Sequence, residues 1–182
     1  MECVQIRVLG CSGGIFRGAA TTSFLVDDDI LIDAGTGVAE LTLEQMRAIR
    51  HIFITHSHLD HIAAIPLLAD TVFDSLVGDP IIVHAQAQTL KVLQQHIFNS
   101  DVWPDFIALP DRDRAVLKLD AMQAGARTGL DGRQIEMMAV NHVVPGVGYR
   151  VESGGRSFAF SGDTTSNESL WSALNEHDGL DI

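Results

Sequence analysis

Three histidines and one aspartate fall within six consecutive residues, His56-Ser57-His58-Leu59-Asp60-His61. The chain holds eight histidines in 182 residues, so composition does not account for this density. Side chains two apart on an extended loop point the same way, and His56 and His58 can therefore share one ion. Asp60 and His61 lie just beyond, where a helical pattern begins, and would face a second ion nearby. Imidazole and carboxylate suit zinc, iron or manganese, with imidazole favouring the first two. Two such ions about 3.5–4 Å apart can hold a bridging water, lower its pKa and orient it for in-line attack. The competing reading, a polar surface or helix-capping loop, would suit one lone histidine; this spacing argues against it.

The elements that must position such a loop follow from the pattern around it. Val4 to Leu9 alternates as a strand, and Gly10 to Gly14 follows as a tight loop. No P-loop lysine follows those glycines, which favours a structural turn over a phosphate cradle. Ser23–Val26 and Ile30–Ile32 read as two strands joined by a solvated acidic turn, Asp27-Asp28-Asp29, and closed by Asp33-Ala34-Gly35. Val38 to Arg50 has helical spacing. His51 to Thr55 is a short buried strand that delivers the histidine run at its C-terminal end. Helical patterns span Ile62–Val72 and Gln86–Ile97, on either side of a strand at Pro80–His84. Residues 99–114 are irregular, with Pro104 and Pro110. Later strands are predicted at Ala115–Leu119, Gln134–Val140, Gly148–Glu152 and Ser157–Ser161, and then a helix over Ser166–Asn175 capped by Ser166. Strands in two groups with helices between them predict two mixed sheets packed face to face, with helices outside.

The bulk numbers fit one domain with a real core: 182 residues, 46% apolar. No apolar run reaches the length of a membrane span. The N-terminus carries no basic region followed by an apolar one, so a cytoplasmic location is expected, with a periplasmic one open if a signal peptide was removed. Cys3 and Cys11 form no CxxC pair and read as two small buried residues. A net charge of −12 would repel a nucleic-acid polymer on average. It does not forbid a small anionic substrate beside bound cations.

The run at 56–61 resembles the HxHxDH signature of the metallo-β-lactamase superfamily. Further matches follow in order: Asn141-His142 after the strand ending at Val140, Ser161-Gly162-Asp163 after Phe158–Phe160, and Asp33-Ala34-Gly35 near the start. The resemblance implies an α/β (α+β) fold, a four-layer αββα sandwich. It implies a two-metal site in which His56, His58 and His142 hold one ion, Asp60 and His61 hold the other, Asp163 bridges, and Asp33 supports the histidine loop. The implied cofactors are two divalent ions, zinc first, with iron or manganese as alternatives. The family supplies a last histidine near its C-terminus, whereas here only His177 follows Asp163 and reads as a solvated residue. Residues 1–182 are therefore expected to form one domain lacking the family's C-terminal strands and helix.

Several segments are similar to the class II 3′,5′-cyclic-nucleotide phosphodiesterase branch: Leu59 and Ile62 around the motif, Phe98-Asn99 followed by Trp103-Pro104-Asp105-Phe106, and Asn141 to Tyr149. Ala63-Ala64 departs from the glycine or serine that branch carries after the motif. The resemblance implies hydrolysis of a cyclic nucleotide to a 5′-monophosphate by a metal-bridging hydroxide, with Asp60 orienting it or managing its proton. Phe98, Trp103 and Phe106 could wall a base pocket, or be ordinary core. The expected partner is a small cyclic nucleotide, with no nucleic-acid polymer and no membrane; a homodimer stays open. His51, His84 and His96 have no partner pattern and read as structural. The alternatives are a tRNA 3′-processing endonuclase, a thioester or lactam hydrolase, and a truncated metal-binding chain without activity.

Overall fold

The structure is a computed structural model that describes residues 4–175 and 180–181. The first sheet has six strands in chain order: β1 (Ile6–Gly10), β2 (Ser23–Val26), β3 (Ile30–Ile32), β4 (His51–Phe53), β5 (Ile81–Gln86) and β6 (Leu117–Met122). The hairpins β1–β2–β3 are antiparallel, and β3 through β6 run parallel. The second sheet contains β7 (Arg127–Leu130), β8 (Arg133–Ala139), β9 (Val147–Ser153) and β10 (Arg156–Phe160), antiparallel in sequence, with β11 (Leu180–Asp181) parallel to β10.

Each face of the first sheet buries a different set of side chains, because a strand alternates its sides. Phe24, Val26, Ile30, Ile32 and Phe53 meet Ile135, Met137, Val147, Tyr149 and Val151 of the second sheet. Leu25, Leu31, Ile52, Ile54, Ile81 and Val83 face the other way, towards helices. Those helices are α1 (Leu43–Ala48), α2 (Leu59–Ile62), α3 (Ala64–Thr71), α4 (Phe73–Leu76) and α5 (Ala87–His96). On the far side, α6 (Glu168–Asn175) lays Leu170 and Leu174 against Met138, Val140 and Ala159. The result is four layers, helix–sheet–sheet–helix. No helix among the described residues is long and apolar enough to cross a membrane.

Several expectations change in detail. The helix predicted over Val38–Arg50 is a 3₁₀ turn at Thr36–Glu40, an extended Leu41, and then α1. Thr42 forms a capping box with Gln45, so a new helix starts where the spacing suggested continuation. The helix predicted from Ile62 begins earlier, at Leu59, and is broken at Ala63. Pro66 is accepted in the first turn of α3, where its missing N–H has no intrahelical acceptor. Asn167, not Ser166, caps α6: its Oδ1 accepts from the Leu170 N–H at 3.2 Å. The acidic turn is not merely solvated, because Asp27 and Asp29 both accept from the buried Arg133 guanidinium and tie the two sheets together. Cys11 is exposed and free rather than buried; Cys3 lies outside the described residues.

Candidate active site

Four loops converge at one end of the sandwich. Asp33 follows β3, His56–His61 follow β4, His142 follows β8 and Asp163 follows β10. The loops are pinned to each other through backbone. Val147 N–H donates to Thr55 O at 2.9 Å, joining the histidine loop to the second sheet. Thr165 N–H donates to Asn141 O at 2.8 Å, joining the His142 and Asp163 loops. Gly35 lies so close to the Asp60 carbonyl and to Thr21 that no side chain fits between them. Gly162 has φ +60°, and a Cβ there would press on the Thr55 side chain at 3.0 Å. Glycine is needed at both positions, first for close approach and then for left-handed backbone.

The donor atoms form two groups. His56 Nε2 lies 3.0 Å from His58 Nδ1, and that nitrogen lies 3.3 Å from His142 Nε2. Asp163 Oδ2 lies 3.9 Å from both His56 Nε2 and His142 Nε2. These four residues offer donor atoms that all lie within 4.8 Å of one another. On the other side, His61 Nε2 faces Asp60 Oδ2 at 3.5 Å and Asp163 Oδ1 at 3.7 Å. The two oxygens of Asp163 thus face different groups.

The chemistry of the first group fits a divalent cation. Zinc bound by nitrogen at about 2.0–2.1 Å in a tetrahedron sets its ligand atoms about 3.3 Å apart. The observed separations of 3.0, 3.3 and 3.9 Å bracket that edge. The second group, Asp60, His61 and Asp163, offers three donors among the described residues; His177 lies outside them.

Asp33 organises the imidazoles. Its Oδ2 accepts from His61 Nδ1–H at 2.6 Å, which leaves His61 Nε2 with a lone pair aimed at Asp60 and Asp163. The same oxygen accepts from the Thr55 hydroxyl at 2.8 Å. With its proton committed, Thr55 Oγ1 accepts from His56 Nδ1–H at 3.0 Å, which leaves His56 Nε2 as the free donor atom. Tautomers assigned through such bonds are those a metal ligand needs. Burial pushes the Asp33 carboxyl up from its ordinary range, partly offset by His61 and Thr55. Burial also works against charge on His61, but the Asp33 bond and the charges of Asp33, Asp60 and Asp163 outweigh it and raise its pKa. Burial, and then repulsion from His61 when that imidazole is protonated, push His56 down to about 4, so its imidazole is neutral near pH 7.

The structure brings His56, His58, Asp60, His61, His142, Asp163 and Asp33 into one site. It does not bring the three aromatics there. Phe98 and Phe106 are core residues, 2% and 3% exposed, and Trp103 packs against the same cluster. Apolar side chains in an irregular segment read alike whether they line a pocket or a core. Thr55 is the site residue that the sequence reading passed over; its place directly before His56 was the available signal.

The model of the β-lactamase superfamily domain matches residues 28–182. The chain belongs to this family. Relatives in the superfamily are metal-dependent hydrolases, phosphodiesterases and nucleases among them, and the metallo-β-lactamase fold implies divalent metal ions. The chain is 33% identical over 67 residues to 3′,5′-cyclic-nucleotide phosphodiesterase 1 of Saccharomyces cerevisiae, a match covering 37% of this chain and 18% of that protein. It is 27% identical over 176 residues to ribonuclease Z of Haloarcula marismortui, covering 91% of this chain and 52% of that protein. The chain thus spans about half, or less, of the length of these relatives. Among solved structures it overlays unliganded yeast PDE1 with TM-score 0.77 at 18% identity, over 97% of this chain and 72% of that one. That likeness shows the fold.

Proposed function

We propose that this chain hydrolyses 3′,5′-cyclic nucleotides to 5′-monophosphates at a two-metal site. The observation that carries the reading is the division of the Asp163 carboxylate, with Oδ2 turned to His56 and His142 and Oδ1 to His61. In this reading His56, His58 and His142 hold one ion, Asp60 and His61 hold the other, and Asp163 serves both. Three imidazoles and a carboxylate favour zinc, with iron or manganese as alternatives. Bound divalent ions would polarise the phosphoryl oxygens and acidify water. Asp60, with its side chain 35% exposed, would orient the attacking water and take its proton. The water oxygen bonds to phosphorus, the P–O3′ bond breaks, and the proton passes to O3′. The choice of substrate is supported by the match to the yeast cyclic-nucleotide phosphodiesterase.

The test is a panel on metal-loaded protein: 3′,5′-cyclic AMP, bis(p-nitrophenyl) phosphate, a glutathione thioester and a β-lactam. Turnover of the cyclic nucleotide is expected; failure to cleave either phosphodiester overturns the reading. The second reading, a tRNA 3′-processing endonuclase, is favoured by the longer match to ribonuclease Z. Cleavage of a tRNA precursor without turnover of the cyclic nucleotide would select it. The net charge of −12 weighs against a polynucleotide.

A further inference from the structure

An open cleft of about 650 Å³ adjoins the histidine cluster and shares His142 with it. That volume suits a small organic ligand. No lysine, arginine, aspartate or glutamate lines it among the described residues, and His142 is its one titratable wall residue. A phosphate would find nothing charged there beyond the cluster itself. The cleft therefore suits the uncharged part of a substrate whose anionic part lies at the histidines.

Its polar groups are of two kinds. Asn141 and Thr165 are committed to the loop: Asn141 Nδ2 donates to Ser166 O at 3.0 Å, and Thr165 Oγ1 donates to Asn141 O at 3.3 Å. Gln86, at the end of β5, and Gln88, in the first turn of α5, have side-chain amides with no hydrogen-bond partner among the described residues. Apolar side chains make up most of the remaining lining, among them Val143, left 83% exposed beside the site. Apolar lining and free amides in one cleft suit a flat heterocycle. Its face lies on the wall, and its edge exchanges paired donor and acceptor bonds with an amide, as glutamine does with adenine.

We infer that the cleft lined by Gln86, Gln88 and Val143–Pro145 is the nucleobase site, with the two glutamine amides reading the base edge. This inference rests on the cyclic-nucleotide reading and adds its recognition site, in place of the buried Phe98 and Phe106. The test is calorimetric titration of the metal-loaded full chain with adenosine 5′-monophosphate and, separately, with inorganic phosphate. The nucleotide should bind about tenfold tighter than phosphate. The double variant Gln86→Ala, Gln88→Ala should lose about tenfold for the nucleotide, the size expected for a lost amide–base pair, and keep its phosphate affinity. Equal binding of the two probes to the wild type, or a nucleotide preference that survives the double variant, overturns the inference. Turnover separates the two readings. A wild type that keeps a glutamine-dependent nucleotide preference but hydrolyses no cyclic nucleotide supports the cleft and overturns the phosphodiesterase reading. Hydrolysis without glutamine dependence overturns the cleft alone.

Discussion

Thr55 contributes one hydroxyl to the site and settles the state of two other groups with it. Its proton goes to Asp33 at 2.8 Å, and its lone pair receives His56 Nδ1–H at 3.0 Å. Without that acceptor, His56 has no local reason to keep its proton on Nδ1 rather than on the nitrogen aimed at the cluster. Thr55→Val keeps the side chain's shape and removes the hydroxyl. Metal affinity should fall about 10- to 100-fold, the range seen when a partner behind a ligand is lost. The change also leaves a buried donor unpaired, at a cost of about 1–3 kcal/mol in stability. Thr55→Ser should restore most of both. Competition with a chromophoric chelator reads the affinity; an unchanged value in the valine variant would show that His56 keeps its tautomer without this relay.

Gly35 matters at the scale of elements, because it sets how closely the β3 turn and α2 approach. The Ala34 N–H donates to His61 O at 2.7 Å, and the Ala64 N–H to Ala34 O at 2.8 Å, so the turn and the helix start are laced together. A methyl at Gly35 would collide with the Asp60 carbonyl. Gly35→Ala should cost about 1–3 kcal/mol as overpacking, read as a lower urea midpoint. On the two-metal reading, it should also weaken metal binding at Asp60 and His61 more than at His56, His58 and His142. Elemental analysis should then find about one ion per chain fewer than in the wild type; an unchanged metal content, or loss of all bound metal, would place the strain elsewhere. The candidate ligands were legible in sequence because they sit in a dense run and at the ends of apolar strands. The contact at Gly35 was not, because it depends on two segments meeting in space. For the same reason β7 escaped notice. Arg127-Thr128-Gly129-Leu130 has no apolar alternation, and only the following Asp131-Gly132, both at positive φ, marks its hairpin. Likewise, Leu41 interrupts a helical pattern because Thr42 and Gln45 cap a new start, an interaction that spacing of apolar residues does not register.

Across the whole molecule, the sandwich carries a second histidine system away from the site, where the two sheets face each other. His84 is 3% exposed and stacks on Phe53 with ring centroids 4.2 Å apart. Its Nδ1 donates to Asp120 Oδ2 at 2.7 Å, and its Nε2 accepts from His51 Nδ1 at 2.9 Å. The pair reads as structural from sequence, and here it has partners. Burial lowers the pKa of both imidazoles; for His84 the Asp120 carboxylate opposes this. Around His51, His84 when protonated and the Arg133 charge lower the pKa further, while Asp29 and Asp131 raise it. In the unfolded chain both groups return to an ordinary value of about 6.5. As pH falls below that value, the unfolded chain therefore takes up protons before the folded one, and stability decreases with falling pH. The contribution is complete above about pH 6.5 and is lost as pH drops towards the lowered folded values. His51→Asn removes one of the two titrations and leaves an amide able to donate to His84. In chelator, so that metal ligation does not intrude, the urea midpoint of the wild type should fall from pH 7.5 to 5.5 more steeply than that of the variant. The gap between them should narrow on acidification. Parallel slopes would mean that His51 keeps an ordinary pKa in the folded protein, and that the chain from His51 through His84 to Asp120 shields no proton deficit.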